Sequence, residues 1–182
     1  MKQIQIFSRT ALFLALMILS AYIQISLPTP FVTMHITMQL FTSILCGFCL
    51  PVKYAFCCMS SYILMGLVGF PVFASGGGIQ YIMKPTFGFV LGFLICSLVC
   101  SIQSIRKRPQ TLKDFYLIGL EGLISFYLIG NLYYYFSFPI LMNTHIPLWL
   151  AFVNGFLVSI IPDLLICFVA CKVSKILQVL LQ

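Results

Sequence analysis

Long apolar runs broken by short polar, glycine or proline punctuation organise the chain. The first run covers about residues 10–27 and stops at Pro28-Thr29-Pro30, where two prolines cannot continue a helix. A proline-broken loop over 28–36 follows. A second run covers about 37–50, Pro51-Val52-Lys53 reverses the chain, and a third covers about 54–68. The stretch from Gly69 to Gly78 is too rich in glycine for a stable helix. At membrane depth such backbone is tolerated only where protein buries it or where it lines a cavity. The fourth run starts at Pro85, a good first-turn residue, and ends near Ile105; the fifth covers about 112–138. The last apolar stretch, 146–181, would rise about 54 Å as one helix against a hydrocarbon core of about 30 Å. Pro162 divides it into a short outer helix over 147–159 and a sixth span over 162–181. The runs are continuous and do not alternate, which argues against a membrane barrel. The pattern predicts an all-α membrane protein, a six-transmembrane-helix bundle forming a single domain over residues 1–182.

Composition supports that reading. Of the 182 residues, 62% are hydrophobic and 7% charged, far below the quarter or so that a water-facing surface carries. Lipid is therefore the solvent for most of the chain. A basic start ahead of an apolar run also fits a signal peptide, but the run is long for one and no small-x-small cleavage site follows, so a retained span is expected. The net charge of +7 comes from ten basic residues scattered at span ends, with no basic face for base stacking, which argues against nucleic acid. Lys2, Arg9, Lys53, Arg106, Lys107, Arg108, Lys113, Lys172 and Lys175 fall on one side of the predicted bundle, and Lys84 alone on the other. By the positive-inside rule both termini are expected in the cytoplasm.

Cysteine spacing reads as packing. Cys46 and Cys49, Cys96 and Cys100, and Cys167 and Cys171 lie three or four apart in apolar runs, each pair on one helix face, where a thiol behaves as a small hydrophobe. A metal site built from Cys46, Cys49, Cys57 and Cys58 would need thiolates facing one another within the bundle, and no metal is expected.

Few residues are left to carry chemistry. Asp163 follows Pro162, in the first turn of the sixth helix, where the positive dipole end favours an anion. A carboxylate in an apolar run costs a few kcal/mol on insertion scales, and such residues face a cavity or a partner. Asp163 is read as the acceptor for ligand N–H groups, against the alternative of a helix-start acid at the interface. Thr37 and Gln39 open the second helix on the same side; the amide offers donors and an acceptor, while capping is the plainer role. Gly76, Gly77 and Gly78 could present backbone N–H groups to an anion or form a flexible turn. Lys84 is either an interfacial anchor or the partner of a ligand carboxylate. Asn131 is a further polar candidate, or an interhelical hydrogen-bond partner. Tyr133-Tyr134-Tyr135-Phe136 reads as an interfacial aromatic belt, and Glu121 has no evident role. Ala11-x-x-x-Ala15 and Gly88-x-x-x-Gly92 are small-residue pairs that let another helix approach closely. There is no phosphate-binding Gly-x-x-x-x-Gly-Lys loop and no His-Glu-x-x-His motif, and the only two histidines are His35 and His145. With no triad supported, the chain is expected to bind or conduct a solute, with no enzymatic activity and no cofactor.

The segment Leu27-Pro28-Thr29-Pro30-Phe31 through Ile36-Thr37-Met38-Gln39 resembles the opening of BioY proteins. So do Tyr62-Ile63-Leu64-Met65-Gly66-Leu67-Val68-Gly69-Phe70-Pro71-Val72-Phe73-Ala74 with its glycines, Pro85-Thr86-Phe87-Gly88-Phe89, and Ile161-Pro162-Asp163-Leu164-Leu165. The likeness spans nearly the whole chain in order, and Gly-x-Pro-Val-Phe-Ala is its most specific piece. The resemblance implies the biotin-specific S component of an energy-coupling factor (ECF) importer, with its pocket near the outer face and Thr86 among the binding residues. Implied partners are a transmembrane coupling protein, contacted by Ala11 and Ala15, and two ATPases. Two departures stand out: the family's lysine three residues after the aspartate is Ile166 here, and its Gly-Pro-Thr-x-Gly-Tyr reads Lys84-Pro85-Thr86-Phe87-Gly88-Phe89. Lys84 or the Gly76–Gly78 backbone is then expected to take the ligand carboxylate, with loops 28–36 and 70–84 as candidate lids. Other readings from the residues are an S component for another vitamin, a self-contained channel or carrier, and a ligand-free structural subunit.

Overall fold

A computed structural model describes residues 3–28, 33–141 and 159–181. The predicted short helix over 147–159, all but its last residue, and His145 lie outside the described residues.

Among the described residues, six α-helices form the bundle: α1 (Gln3–Tyr22), α2 (Gln39–Cys49), α3 (Val52–Val68), α4 (Phe87–Lys107), α5 (Leu112–Leu141) and α6 (Ile160–Leu181). The first differs from the sequence expectation at both ends. It begins near Gln3 because its early polar positions need no water: the Ser8 and Thr10 hydroxyls donate to the carbonyls of Ile4 and Ile6 one turn back. It ends at Tyr22 because the next residues form a β-hairpin. Strand β1 (Gln24–Pro28) pairs antiparallel with β2 (Thr33–Thr37), in the register Gln24↔Thr37, Ser26↔His35 and Pro28↔Thr33. The Met38 N–H donates to the Ile23 carbonyl at 3.0 Å, extending the ladder into the start of α2. The proline-broken loop expected over 28–36 is thus, outside the four residues 29–32, paired strand. Pro28 is tolerated because a two-stranded ribbon has only edges.

At 11 residues, α2 rises only about 16 Å, half a hydrocarbon core. It is nearly all buried, wedged between α4, α6 and α1 as the central post of the bundle. Helices α1 and α4 and the stretch Leu112–Ile140 of α5 are long and apolar enough to cross a membrane. Leu117, Ile124, Leu128 and Leu132, on one face of α5, are exposed large apolar side chains, as lipid contact requires.

Small residues let the long helices close up. A Cβ on Gly122 would meet Cys100 and Cys96 sulfurs at 2.6 and 3.0 Å, and one on Gly119 would meet those of Cys171 and Cys167 at 2.4 and 3.0 Å. The two cysteine pairs are the small hydrophobes against which α5 packs onto α4 and α6. The Gly88-x-x-x-Gly92 pair faces α5 at Tyr133 and Phe126. Glu121 gains a role that its sequence position did not show, an ion pair with Lys107 at 2.5 Å that ties α5 to the end of α4. One belt expectation is corrected. Tyr134 is fully buried beside Phe138 of the same helix and Phe89 of α4, and Tyr133 packs on Phe87 and donates to the Ile82 carbonyl, so these two rings pack within the protein while Phe136 stays exposed.

The segment after α3 is compact. Gly69 adopts φ of 120°, a conformation costly to any side chain, and ends α3. Phe73 and Gly76 then bridge antiparallel, and a 3-10 turn covers Ile79–Met83. The Phe73 ring lies on Gly66 of α3, where a Cβ would come within 2.0 Å of the ring. It also contacts Tyr62, Tyr81 and Phe87. Gly66→Ala is therefore expected to displace Phe73 and destabilise the protein by about 1–3 kcal/mol, seen as a lower thermal midpoint in detergent.

Candidate functional site

At the hairpin end, a cavity with about 710 Å³ of space unfilled by atoms, its open mouth included, separates the hairpin and glycine segment from the helices. Its wall is aromatic and aliphatic, from Leu40, Tyr81, Phe89, Val90, Phe93 and Phe126, with Thr37, Gln39, Thr86, Ser159 and Asp163 as polar points. An apolar wall with a few convergent polar groups is the usual form of a small-molecule site.

Asp163, Gln39 and Thr37 are each held by local structure. Asp163 is 5% exposed, and its Oδ2 accepts a hydrogen bond from Tyr127 of α5 at 2.5 Å. The same hydroxyl lies 3.4 Å from Ser159 Oγ. The carboxylate stands in the first turn of α6, at the positive end of the helix dipole. It is thus stabilised from two sides, with no cationic partner among the described residues, which leaves its charge available to a guest.

Gln39, 2% exposed, follows the hairpin directly. Its Nε2 donates to the Tyr62 hydroxyl at 2.5 Å, and that hydroxyl donates to the Val72 carbonyl at 3.1 Å. Thr37 Oγ1 donates to Gln39 Oε1 at 3.3 Å. This chain of bonds fixes the glutamine amide at the cavity wall and straps the glycine segment over it. Two further ties act in parallel, from Tyr22 to the Pro71 carbonyl at 2.5 Å and from Gln24 to the Ala74 carbonyl at 3.0 Å.

The structure brings Thr37, Gln39, Thr86 and Asp163 together, and leaves the other candidates off the cavity wall. In the glycine turn, the Gly76 N–H donates to Phe73 at 3.1 Å and the Gly78 N–H to Gly66 at 2.7 Å. A Cβ on Gly77 would fall 2.1 Å from the Phe70 carbonyl oxygen. The anion-nest expectation is corrected accordingly: the N–H groups of Gly76 and Gly78 are committed, and the glycines serve a tight fold-back. Asn131 donates to the Tyr127 carbonyl one turn back on α5 and so lies behind the cavity residue's partner. Lys84 Nζ donates to the Ser75 carbonyl and hydroxyl at 3.2 and 3.3 Å and lies 4.7 Å from the centre of the Tyr81 ring. It stands behind the wall that Tyr81 forms. Ile166 packs on the apolar core.

Sequence reasoning expects an apolar, aromatic wall but missed His35, Tyr81 and the particular phenylalanines that form the wall. Phe89 and Phe93 carry a faint signal, a four-residue spacing that puts both on one face of α4; Phe126 carries none. His35 lies on β2 with its Nδ1 2.9 Å from Ser26 Oγ across the hairpin. Burial lowers its basicity, and the nearby Lys84 charge lowers it further, so the imidazole is neutral at pH 7.

Comparison with known proteins places the whole arrangement. The BioY family model matches residues 1–182. The chain belongs to the BioY family. A probable biotin transporter BioY of Lysinibacillus sphaericus is 36% identical over 154 residues, covering 84% of this chain and 76% of the relative. One from Pyrococcus horikoshii is 32% identical over 173 residues and 94% of both chains. The biotin transporter BioY of Thermotoga maritima is 32% identical over 124 residues, 67% of this chain and 69% of its own length. The crystal structure of an S-component for biotin from an ECF-type ABC transporter superposes with a TM-score of 0.84 at 19% identity, covering 97% of this chain and 92% of that one. The BioY fold and a multi-pass place in the cell membrane follow; the assignment of individual residues to a ligand rests on the geometry above.

Proposed function

We propose that this chain is the biotin-capturing S component of an ECF-type importer, holding its ligand in the cavity beneath the hairpin. The observation that carries this is Asp163: a buried carboxylate at a helix head, in an otherwise apolar, aromatic cavity, within a BioY chain. Biotin presents ureido N–H donors at one end, a carboxylate at the other, and a fused ring and alkyl chain between. The carboxylate of Asp163 suits the ureido N–H groups, with Thr37, Gln39 and Thr86 as further polar contacts. Phe89, Phe93 and Phe126 suit the ring and chain. Lys84, whose ammonium is near enough to His35 to lower its basicity, is the cation for the acid end, in place of the lysine that Ile166 replaces. It reaches the cavity by moving across the Tyr81 face.

The hairpin end faces the exterior in this reading, and both termini lie in the cytoplasm, because Lys84 alone is at that end while nine basic residues gather towards the other. The described parts of the two candidate lids, the β2 strand and the segment from Ala74 to Tyr81, border the cavity mouth. Energy comes from partners: a transmembrane coupling protein and two ATPases.

Spheroplasts displaying the chain without those partners are expected to capture labelled biotin from the medium, and thiamine, riboflavin and lipoate should not compete. Capture displaced equally by another vitamin would reassign the ligand, and uptake into the lumen without ATPases would indicate a self-contained carrier. Lys84→Ala is expected to weaken capture of biotin about tenfold while changing that of the uncharged biotin amide less than twofold, on the scale of one charge-assisted bond of about 1.5 kcal/mol.

A further inference from the structure

Among the cavity side chains that neither the motif pattern nor the family likeness pointed to, His35 is the basic one. His35 is carried on β2, between the hairpin and the helices, and lines the cavity together with Thr37 and Gln39. Its partner across the ladder is Ser26, whose Oγ lies 2.9 Å from Nδ1. The Ser26 contact suits either neutral tautomer; in the one where the hydroxyl donates to Nδ1, the ring carries its proton on Nε2, the nitrogen that has no hydrogen-bond partner among the described residues. In that tautomer the neutral imidazole, on the wall of a largely apolar cavity with its N–H uncommitted, is a directed donor. The second basic group in its field is Lys84, on the other side of the mouth behind Tyr81.

We propose that His35 is a specificity-determining residue that donates from Nε2 to the carboxylate of the guest, so that His35 and Lys84 grip the acid end from opposite sides and draw the hairpin towards the 3-10 turn. The inference rests on the proposed biotin reading and deepens it. The two ends of the cavity then divide the guest between them: Asp163, anionic, takes N–H donors, and the His35–Lys84 pair takes the acid.

The arrival of a carboxylate changes the electrostatics of the ring. In the empty site His35 is less basic than usual, through burial and Lys84. An anion against Nε2 raises its basicity again, so binding takes up a proton. Affinity for an acid guest therefore rises as pH falls from 8 towards 6, since the bound state is the more proton-avid. Among the described residues the other ionisable groups sharing the cavity are Asp163 and Tyr81, with Lys84 behind, and an amide guest offers Asp163 the same ureido head. The amide controls for every group except those that meet the acid end.

The test is equilibrium binding of labelled biotin and of biotin amide to the purified full chain between pH 6 and 8, with two replacements. Asn in His35→Asn reaches only the Nδ1 position and keeps the Ser26 bond; Gln in His35→Gln places an amide donor near Nε2 but cannot titrate. His35→Asn is expected to lower biotin affinity about tenfold at pH 7.5 with amide affinity within twofold. His35→Gln is expected to restore biotin affinity to within about threefold and to flatten its pH profile. Equal losses for biotin and amide in His35→Asn, or parallel pH profiles for the two ligands in the unaltered protein, would overturn the proposal. Failure of the unaltered chain to bind either ligand would instead overturn the biotin reading beneath it, and this inference with it.

Discussion

Asp163→Asn is expected to weaken biotin capture by about a hundredfold while leaving the fold intact or more stable. The two side chains are nearly isosteric, and the Tyr127 hydroxyl can donate to the asparagine oxygen as it does to Asp163 Oδ2. The loss lies in the guest's bonds. A hydrogen bond to an ionised acceptor contributes about 1.5–3 kcal/mol where a neutral one contributes about 1, and an asparagine amide turned the wrong way opposes an N–H donor outright. At about 1.4 kcal/mol per decade, the upper part of that range is two decades of affinity. Stability moves the other way, because a carboxylate buried without a cation costs desolvation energy that its neutral isostere does not. Binding by equilibrium dialysis and unfolding by thermal scan in the same detergent separate the two effects. Undiminished capture by Asp163→Asn would remove the carboxylate from the site, and a collapsed melting transition would make Asp163 a structural residue.

The legibility of this chain followed the physics of its solvent. Spans 87–107 and 112–141 were readable because length and continuous apolarity decide whether a helix crosses lipid. The hairpin was not, since Ile25 and Leu27 are apolar enough to pass for a helix end, and what separates strand from helix there is pairing between residues five to thirteen apart in sequence. Asp163, Gln39, Thr37 and Thr86 were visible because polar residues in an apolar background are few and expensive. The residues of the aromatic wall were invisible for the opposite reason: Phe89, Phe93 and Phe126 are three among 18 phenylalanines, and only the folded chain says which face inward to the cavity. The glycines marked a turn, but not that the Gly76 and Gly78 N–H groups would be engaged within it. Tyr127, the partner of Asp163, comes from a helix 36 residues away in sequence, a contact no local pattern encodes.

Ala11→Trp together with Ala15→Trp is expected to abolish transport and leave capture unchanged. Helix α1 buries Phe13, Met17, Ser20 and Ala21 against the bundle and turns Ala11 and Ala15 outward, where both are exposed. Ser8 lies on the same side one turn before Ala11. A solvent of lipid tails gives no reason for small residues at these positions, since the neighbouring Leu12 and Leu19 meet it equally well. A small outward stripe has an effect only when another helix comes close, because it lets backbones approach and gain packing over their length. The proposed coupling protein is that helix. Two indoles in the stripe would hold the partner several ångströms away and forfeit the contact, yet neither position touches the cavity wall. The expected result is biotin binding within twofold of the unaltered chain, at least a tenfold loss of ATP-driven uptake in cells that also make the coupling protein and ATPases, and loss of co-purification with them. Ile124→Trp, on the lipid-exposed face of α5, controls for indole bulk and should change none of these. Full uptake by the double variant would move the partner surface off α1, and lost binding would show that the substitution had disturbed the bundle itself.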